Sequence, residues 1–209
     1  MDGVLIASTN CHRQAFVEIL APLGITDFSY FRFAGWRTPD VFRTVFSEAG
    51  LTMSEERIAG LSGKKSARAR ELMEEESQVF RECAPIVSKL SASYPLALAS
   101  SGSRGSVQTF LEKSGLRGAF RVVVTGDDVT HAKPNPEIFI RAIKGLALAP
   151  AHCVVVEDAE AGIQAACAAG AIACGFGADS SGMLRQAGAS CVVESLHQLP
   201  LLLESFCLA

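Results

Sequence analysis

The chain has 209 residues, 49% of them hydrophobic and 20% charged, with 19 Lys+Arg against 22 Asp+Glu for a formal net charge of −3. That length suits one sizeable core with an inserted subdomain rather than two large independent domains, and a mean hydropathy of +0.27 argues against disorder. Near-balanced charge with no recurring basic stripe argues against a nucleic-acid surface. The seven cysteines, at 11, 83, 153, 167, 174, 191 and 207, form no C-x-x-C and no Cys/His ligand spacing, which reads as buried free thiols in a reducing compartment. There is no basic, apolar, small-residue leader pattern and no apolar run long enough for a bilayer. A cytoplasmic protein that does not engage membranes is therefore expected.

In chain order, the first element is a short turn, Asp2-Gly3-Val4-Leu5. Residues 9–81 hold almost no strand pattern and read as about four helices, near 10–22, 39–49, 54–60 and 65–80, with Phe33 to Pro39 as a connecting loop. From about residue 95 onward short apolar runs alternate with helical patterns. Strands are expected at Pro95–Ala99, Arg121–Thr125, His152–Val156, Ala171–Cys174 and Ser190–Val193. Helices are expected at Arg104–Ser114, at Pro134–Gly145 (opened by its proline), at Ala159–Ala169, and at Leu196–Phe206 to close the chain. Fully apolar strands separated by helices imply an α/β fold with a parallel sheet covered on both faces. The organisation expected is a core from residues 1–8 and 82–209, with a helical insert at 9–81.

Four segments follow apolar runs, where α/β sheets place their sites. In the first, Gly3 allows a sharp turn that leaves Asp2 beside a bound group. In the second, Leu98-Ala99-Ser100-Ser101-Gly102-Ser103, small hydroxyl residues and backbone N–H groups are offered to an anion; no G-x-S-x-G surrounds these serines, so a serine-hydrolase reading fails. In the third, Thr125 to Pro136, Lys133-Pro134-Asn135-Pro136 sets a lysine between an apolar strand and a proline-opened helix. In the fourth, Val154-Val155-Val156-Glu157-Asp158-Ala159-Glu160-Ala161-Gly162-Ile163-Gln164-Ala165-Ala166, two acids end a strand and suit a hard cation with oxygen ligands. Helix capping by these acids is the plain alternative, but the pattern is too long for it to be preferred. His131, His12, His152 and His197 show no triad-like context and read as structural or solvated residues. Trp36 reads as an anchor of a small core within the insert, and Gly175-Phe176-Gly177 as a turn, because Ser180 breaks the dinucleotide fingerprint.

Taken together and in this order, the four motifs resemble those of the haloacid dehalogenase superfamily of phosphatases and phosphomutases. The helical insert is similar to the cap of the subgroup with β-phosphoglucomutase and phosphoglycolate phosphatase. The resemblance spans the chain and implies a Rossmann-like core, Mg²⁺ as cofactor, and a small phosphorylated metabolite as substrate. It implies that Asp2 protonates the leaving group and lends its backbone carbonyl to Mg²⁺. Ser100 and Ser101 would bind the phosphoryl group, Lys133 would screen it from the nucleophile, and Asp158, with Glu157 near or behind it, would hold the metal. Gly35, Arg37 and Lys65 are the nearest matches to the cap residues that face substrate, though the spacing around Arg37 is not that of the relatives. Ala7 also departs, since many relatives carry an acid there.

The resemblance places the nucleophilic aspartate two positions before Asp2, so the natural polypeptide is expected to start several residues earlier with an apolar strand ending in Phe-Asp or similar. A Mg²⁺-dependent phosphatase working through a phosphoaspartate is the leading expectation. A phosphomutase with the same chemistry and a non-catalytic binding relative are the alternatives.

Overall fold

The Cα trace begins in a tight turn, with the carbonyl of Met1 accepting from Leu5 N at 2.8 Å and Gly3 donating to Ile6 O at 3.0 Å. The computed structural model describes residues 1–178 and 180–207, with the backbone alone at Cys207. A short antiparallel ribbon joins β1 (Ile6–Ala7) to β2 (Gln78–Val79). Between them lie three helices, α1 (Thr9–Leu20), α2 (Thr38–Glu48) and α3 (Glu55–Glu75).

The two helices expected at 54–60 and 65–80 are one, α3, which runs straight through Gly60 and Gly63. Each interior glycine costs the helix about 1 kcal/mol relative to alanine. The buried stripe Ile58, Leu61, Lys65, Ala69, Leu72 and Met73 recurs at helical spacing and offsets that cost. Ser54 caps the start by accepting from Arg57 N, with Glu55 and Glu56 in the first turn where the helix dipole favours acids.

These helices bury an aromatic cluster of their own. Phe16, Leu20, Phe33, Val41, Phe42, Val45, Phe46, Ile58 and Leu61 pack together, with Phe42 stacked on Phe46 at 5.5 Å and edge-on to Phe16 at 5.4 Å. Trp36 joins it by an edge contact with Phe33.

The remainder alternates strand and helix. The elements are α4 (Cys83–Ser93), β3 (Ala97–Ala99), α5 (Arg104–Ser114), β4 (Val122–Val124), α6 (Glu137–Leu146), β5 (Val154–Glu157), α7 (Glu160–Ala168), β6 (Ile172–Phe176), α8 (Ser181–Gln186), β7 (Cys191–Val193) and α9 (Leu199–Cys207). All five strands pair in parallel, as continuous apolar runs joined by helical crossovers require. They form two sheets: β3 beside β4, and β5–β6–β7. One face carries Leu98, Val107, Phe110, Val193 and Leu196 with the inner side of α4; the other carries Ile138, Phe139, Ile143, Ile163 and Leu184.

The sheets do not meet. Between β3 and β5 lies an apolar cleft of about 540 Å³, walled by Ala97–Ala99 and Val154–Val156 and entered at one end by Met1 and Val4. As a consequence Val154, Val155 and Val156 are only half-buried, although a strand of that composition reads as fully covered. Helices α4 and α8 and strand β2 were not foreseen from the sequence. No helix among the described residues is long and apolar enough to cross a membrane.

Candidate active site

The carboxyl ends of β3 and β5, the loop that follows β4 and the turn before β1 converge on a cavity of about 810 Å³, roofed by the loop between α1 and α2 and by α3. Asp2, Ser100, Ser101, Lys133, Glu157, Asp158, Gly35 and Lys65 all line it. Of the sequence-expected site residues, Arg37 does not. Its guanidinium donates instead to the carbonyl oxygens of Val129 and Thr130, the latter at 2.6 Å, and its Nε lies 3.2 Å from Asp40. Arg37 thus clasps the core loop that leads to Lys133.

Asp2 sits on the turn because Gly3 adopts φ +69°, a region disfavoured for residues with a Cβ. A Cβ there would also fall 1.9 Å from Asp158 Oδ2. The close approach brings the first and fourth motifs together. Ser8 Oγ donates to Asp2 Oδ1, Ser100 Oγ lies 3.3 Å from Oδ2, and His12 Nε2 lies 3.1 Å from Oδ1. Burial alone would raise the Asp2 carboxyl. The facing His12, the chain's amino terminus and Ser8 outweigh it, holding Asp2 well below the usual carboxylate range.

His12 is the residue that sequence reasoning missed. Burial first, and then Lys65, depress its basicity, and its Nε2 faces Asp2 Oδ1. Its Nδ1 is an acceptor, and Lys65 Nζ donates to it at 2.9 Å. Lys65, 4% exposed, lies over the Phe16 ring at 4.3 Å, and burial brings its pKa down to about 7. A faint signal was available: Ser8 and His12 stand one helical turn apart just after the Asp2 turn, so they share the face that looks back at it.

On the second motif, buried Ser100 Oγ accepts from Gly102 N at 3.1 Å. Ser101 Oγ donates to Gly35 O at 2.5 Å, tying the insert loop to the core. Ser103 caps α5 by accepting from Ser106 N. Gly126 is demanded by close packing, since a Cβ there would meet Ser101 O at 2.3 Å.

Lys133 and Glu157 form a buried ion pair, their side chains 5% and 10% exposed, with the ammonium also 4.8 Å from the Phe139 ring centre. Gly162 makes room for it: a Cβ there would stand 2.3 Å from Glu157 Cδ. Among the described residues no Lys or Arg side chain forms an ion pair with Asp158. Burial, with Glu157 and Asp2 adding like charge against the pull of the amino terminus, pushes its pKa up to about 7.

Among the described residues no three His, Cys, Asp or Glu side chains converge into a ready-made metal cage. The crowding of Asp158 against Asp2 is nevertheless a site short of positive charge. Two oxygen-donor acids at a strand end suit Mg²⁺, which keeps several waters and takes one or two carboxylates.

The geometry can be set beside known proteins. The model of the haloacid dehalogenase-like hydrolases matches residues 1–176. Protein CbbY of Rhodobacter capsulatus is 31% identical over 186 residues, covering 81% of this chain and 79% of its own length. Fructose-1-phosphate phosphatase YqaB of Escherichia coli is 27% identical over 170 residues, covering 81% and 89%. Among solved structures, a CbbY variant of Rhodobacter sphaeroides in complex with xylulose-(1,5)bisphosphate superposes with TM-score 0.82 at 26% identity, covering 95% of this chain and 93% of its own. The match across the four motifs, their convergence on one cavity and the shared fold agree: the chain belongs to the haloacid dehalogenase-like hydrolases.

Proposed function

We propose that the protein is a Mg²⁺-dependent phosphatase of small phosphorylated metabolites, working through a phosphoaspartate on a carboxylate two positions before Asp2. The observation that carries the reading is one cavity holding an acid–histidine pair, a buried hydroxyl, a buried ammonium and a crowded second acid. The phosphatase name of one relative and the sugar bisphosphate bound to one structural neighbour support a small phosphorylated sugar as substrate.

Asp2 works as general acid and base. It protonates the leaving oxygen and then takes a proton from the water that opens the phosphoenzyme. Ser8 and His12 aim it, and Lys65 holds the His12 tautomer that keeps Nε2–H on Asp2. Ser100 Oγ, with the Ser101 amide, donates to the phosphoryl oxygens, and Lys133 neutralises the charge that grows on them. Glu157 fixes Lys133 from behind. Asp158 and the Asp2 backbone would hold Mg²⁺, with Glu157 behind them, and the metal would neutralise phosphoryl charge when bound. The helices of residues 9–81 act as a cap, Gly35 and Arg37 tethering it to the core, so that closure excludes bulk water.

The position of the attacking carboxylate, two residues before Asp2, is what the family resemblance implies. The test is Mg²⁺-dependent phosphate release from a panel of sugar phosphates and other monoesters, comparing residues 1–209 with a form extended by an apolar strand ending in Asp. Turnover is expected only in the extended form. Equal activity of both would remove the preceding aspartate from the mechanism, and inactivity of both would favour a binding protein.

A further inference from the structure

At about 810 Å³ the catalytic cavity has room for a whole small-molecule ligand rather than a phosphate group alone. Its chemistry changes along its length. Ser100, Lys133, Asp2 and Asp158 gather at one end. Away from them the lining comes from the loop between α1 and α2 on one side and from the core helix α8 on the other. Phe31 on that loop is 75% exposed, and Met183 on α8 is 54% exposed. Both line the cavity, as does Trp36. A single exposed apolar side chain is ordinary on a protein surface. Two of them, from distant parts of the chain, border one cavity here.

The charges around the cavity are already engaged. Among the described residues three lysine or arginine side chains line it, Arg32, Lys65 and Lys133, against the four acids Asp2, Glu157, Asp158 and Glu160. Lys133 pairs with Glu157, and Lys65 donates to His12. Arg32 makes a two-point pair with Glu48, at 2.7 and 3.3 Å. Arg37 is turned onto the carbonyls of Val129 and Thr130 and onto Asp40. A second phosphate group on the ligand needs a cation of its own to offset its desolvation. At the far end it would meet Glu48 beside Arg32, and Glu160. An apolar ring meets no such penalty, because a phenyl face offers stacking and a thioether packs well against a ring.

We infer that the cavity selects a monoester with one phosphoryl group and an uncharged leaving group, whose far end is an apolar ring held between Phe31 and Met183. Phe31 and Met183 are then specificity residues, and the Arg32–Glu48 pair disfavours bisphosphates. The inference rests on the phosphatase reading above and narrows its substrate class to monophosphates whose organic part carries an apolar face.

The probes are inorganic phosphate, naphthyl phosphate, fructose 1-phosphate and fructose 1,6-bisphosphate, titrated calorimetrically into the 209-residue chain with Mg²⁺. Naphthyl phosphate should bind about tenfold more tightly than the bisphosphate, and inorganic phosphate should compete with it. Phe31→Ala with Met183→Ala should weaken naphthyl phosphate by about tenfold and leave inorganic phosphate unchanged, which a misfolded site would not do. Glu48→Gln, which releases Arg32, should strengthen the bisphosphate by about threefold and leave fructose 1-phosphate unaltered. Three results overturn the proposal while leaving the phosphatase reading in place. They are a bisphosphate that binds as tightly as naphthyl phosphate, a double variant that keeps full affinity for naphthyl phosphate, and naphthyl phosphate that inorganic phosphate cannot displace. Binding of none of the four, inorganic phosphate included, overturns the phosphatase reading and the proposal with it.

Discussion

Lys65→Met separates what a buried amine does for stability from what it does for the site. Lys65 is buried among Phe16, His12 and the apolar stripe of α3, with Asp2 as the acid that supports its charge. Burial lowers its pKa from 10.5 to about 7, Asp2 opposing. Each pH unit is worth about 1.36 kcal/mol, so keeping the ammonium in the fold costs up to about 5 kcal/mol at pH 7 and below. The sign follows from proton counts. Between about pH 7 and 10.5 the unfolded chain binds a proton that the folded chain does not, so wild-type stability rises with pH across that window. Methionine fits the same volume and removes the charge, at the loss of one hydrogen bond to His12 worth about 1 kcal/mol. Denaturant unfolding at pH 6.5 should therefore show Lys65→Met more stable than wild type by about 2–4 kcal/mol, with the advantage shrinking steadily towards pH 10. In a catalytically complete form the same variant should lose turnover, because His12 no longer has its Nδ1 donor. Parallel stability profiles for the two proteins, or a variant several kcal/mol weaker at pH 6.5, would refute the reasoning.

Two further outcomes test the geometry. Lys133→Met leaves Glu157 buried without its cation and should cost about 3–5 kcal/mol in chemical denaturation, whereas Lys133→Met with Glu157→Gln should regain most of that stability and none of the activity. Gly3→Ala places a methyl 1.9 Å from Asp158 Oδ2 on a left-handed backbone, and in the extended form should abolish Mg²⁺-dependent turnover while far-ultraviolet circular dichroism stays unchanged.

What the sequence made legible is what local chemistry dictates. Ser100, Lys133 and the Glu157-Asp158 pair each follow an apolar run, and a parallel sheet must deliver such positions to one end; the structure brings them to a single cavity. His12 was only faintly legible, because its meaning depends on where α1 lies relative to Asp2, and its spacing from Ser8 is a weak mark of that. The merging of two expected helices into α3 escaped for a related reason: Gly60 and Gly63 weaken the local pattern, and only tertiary packing of Ile58 to Met73 outweighs them. Arg37 matched a cap motif in type, yet the structure spends its donors on the carbonyls of Val129 and Thr130.

The motif loops are cross-linked at their tips, beyond the strand ladders. Gly126 N donates to Gly102 O, Ser100 reaches Asp2, Ser101 reaches Gly35, and Gly3 packs under Asp158. Such contacts can bring donors and acids into one cavity but constrain them only through short, partly exposed loops. In-line phosphoryl transfer tolerates little misplacement, and an error near 1 Å can cost about 10²-fold.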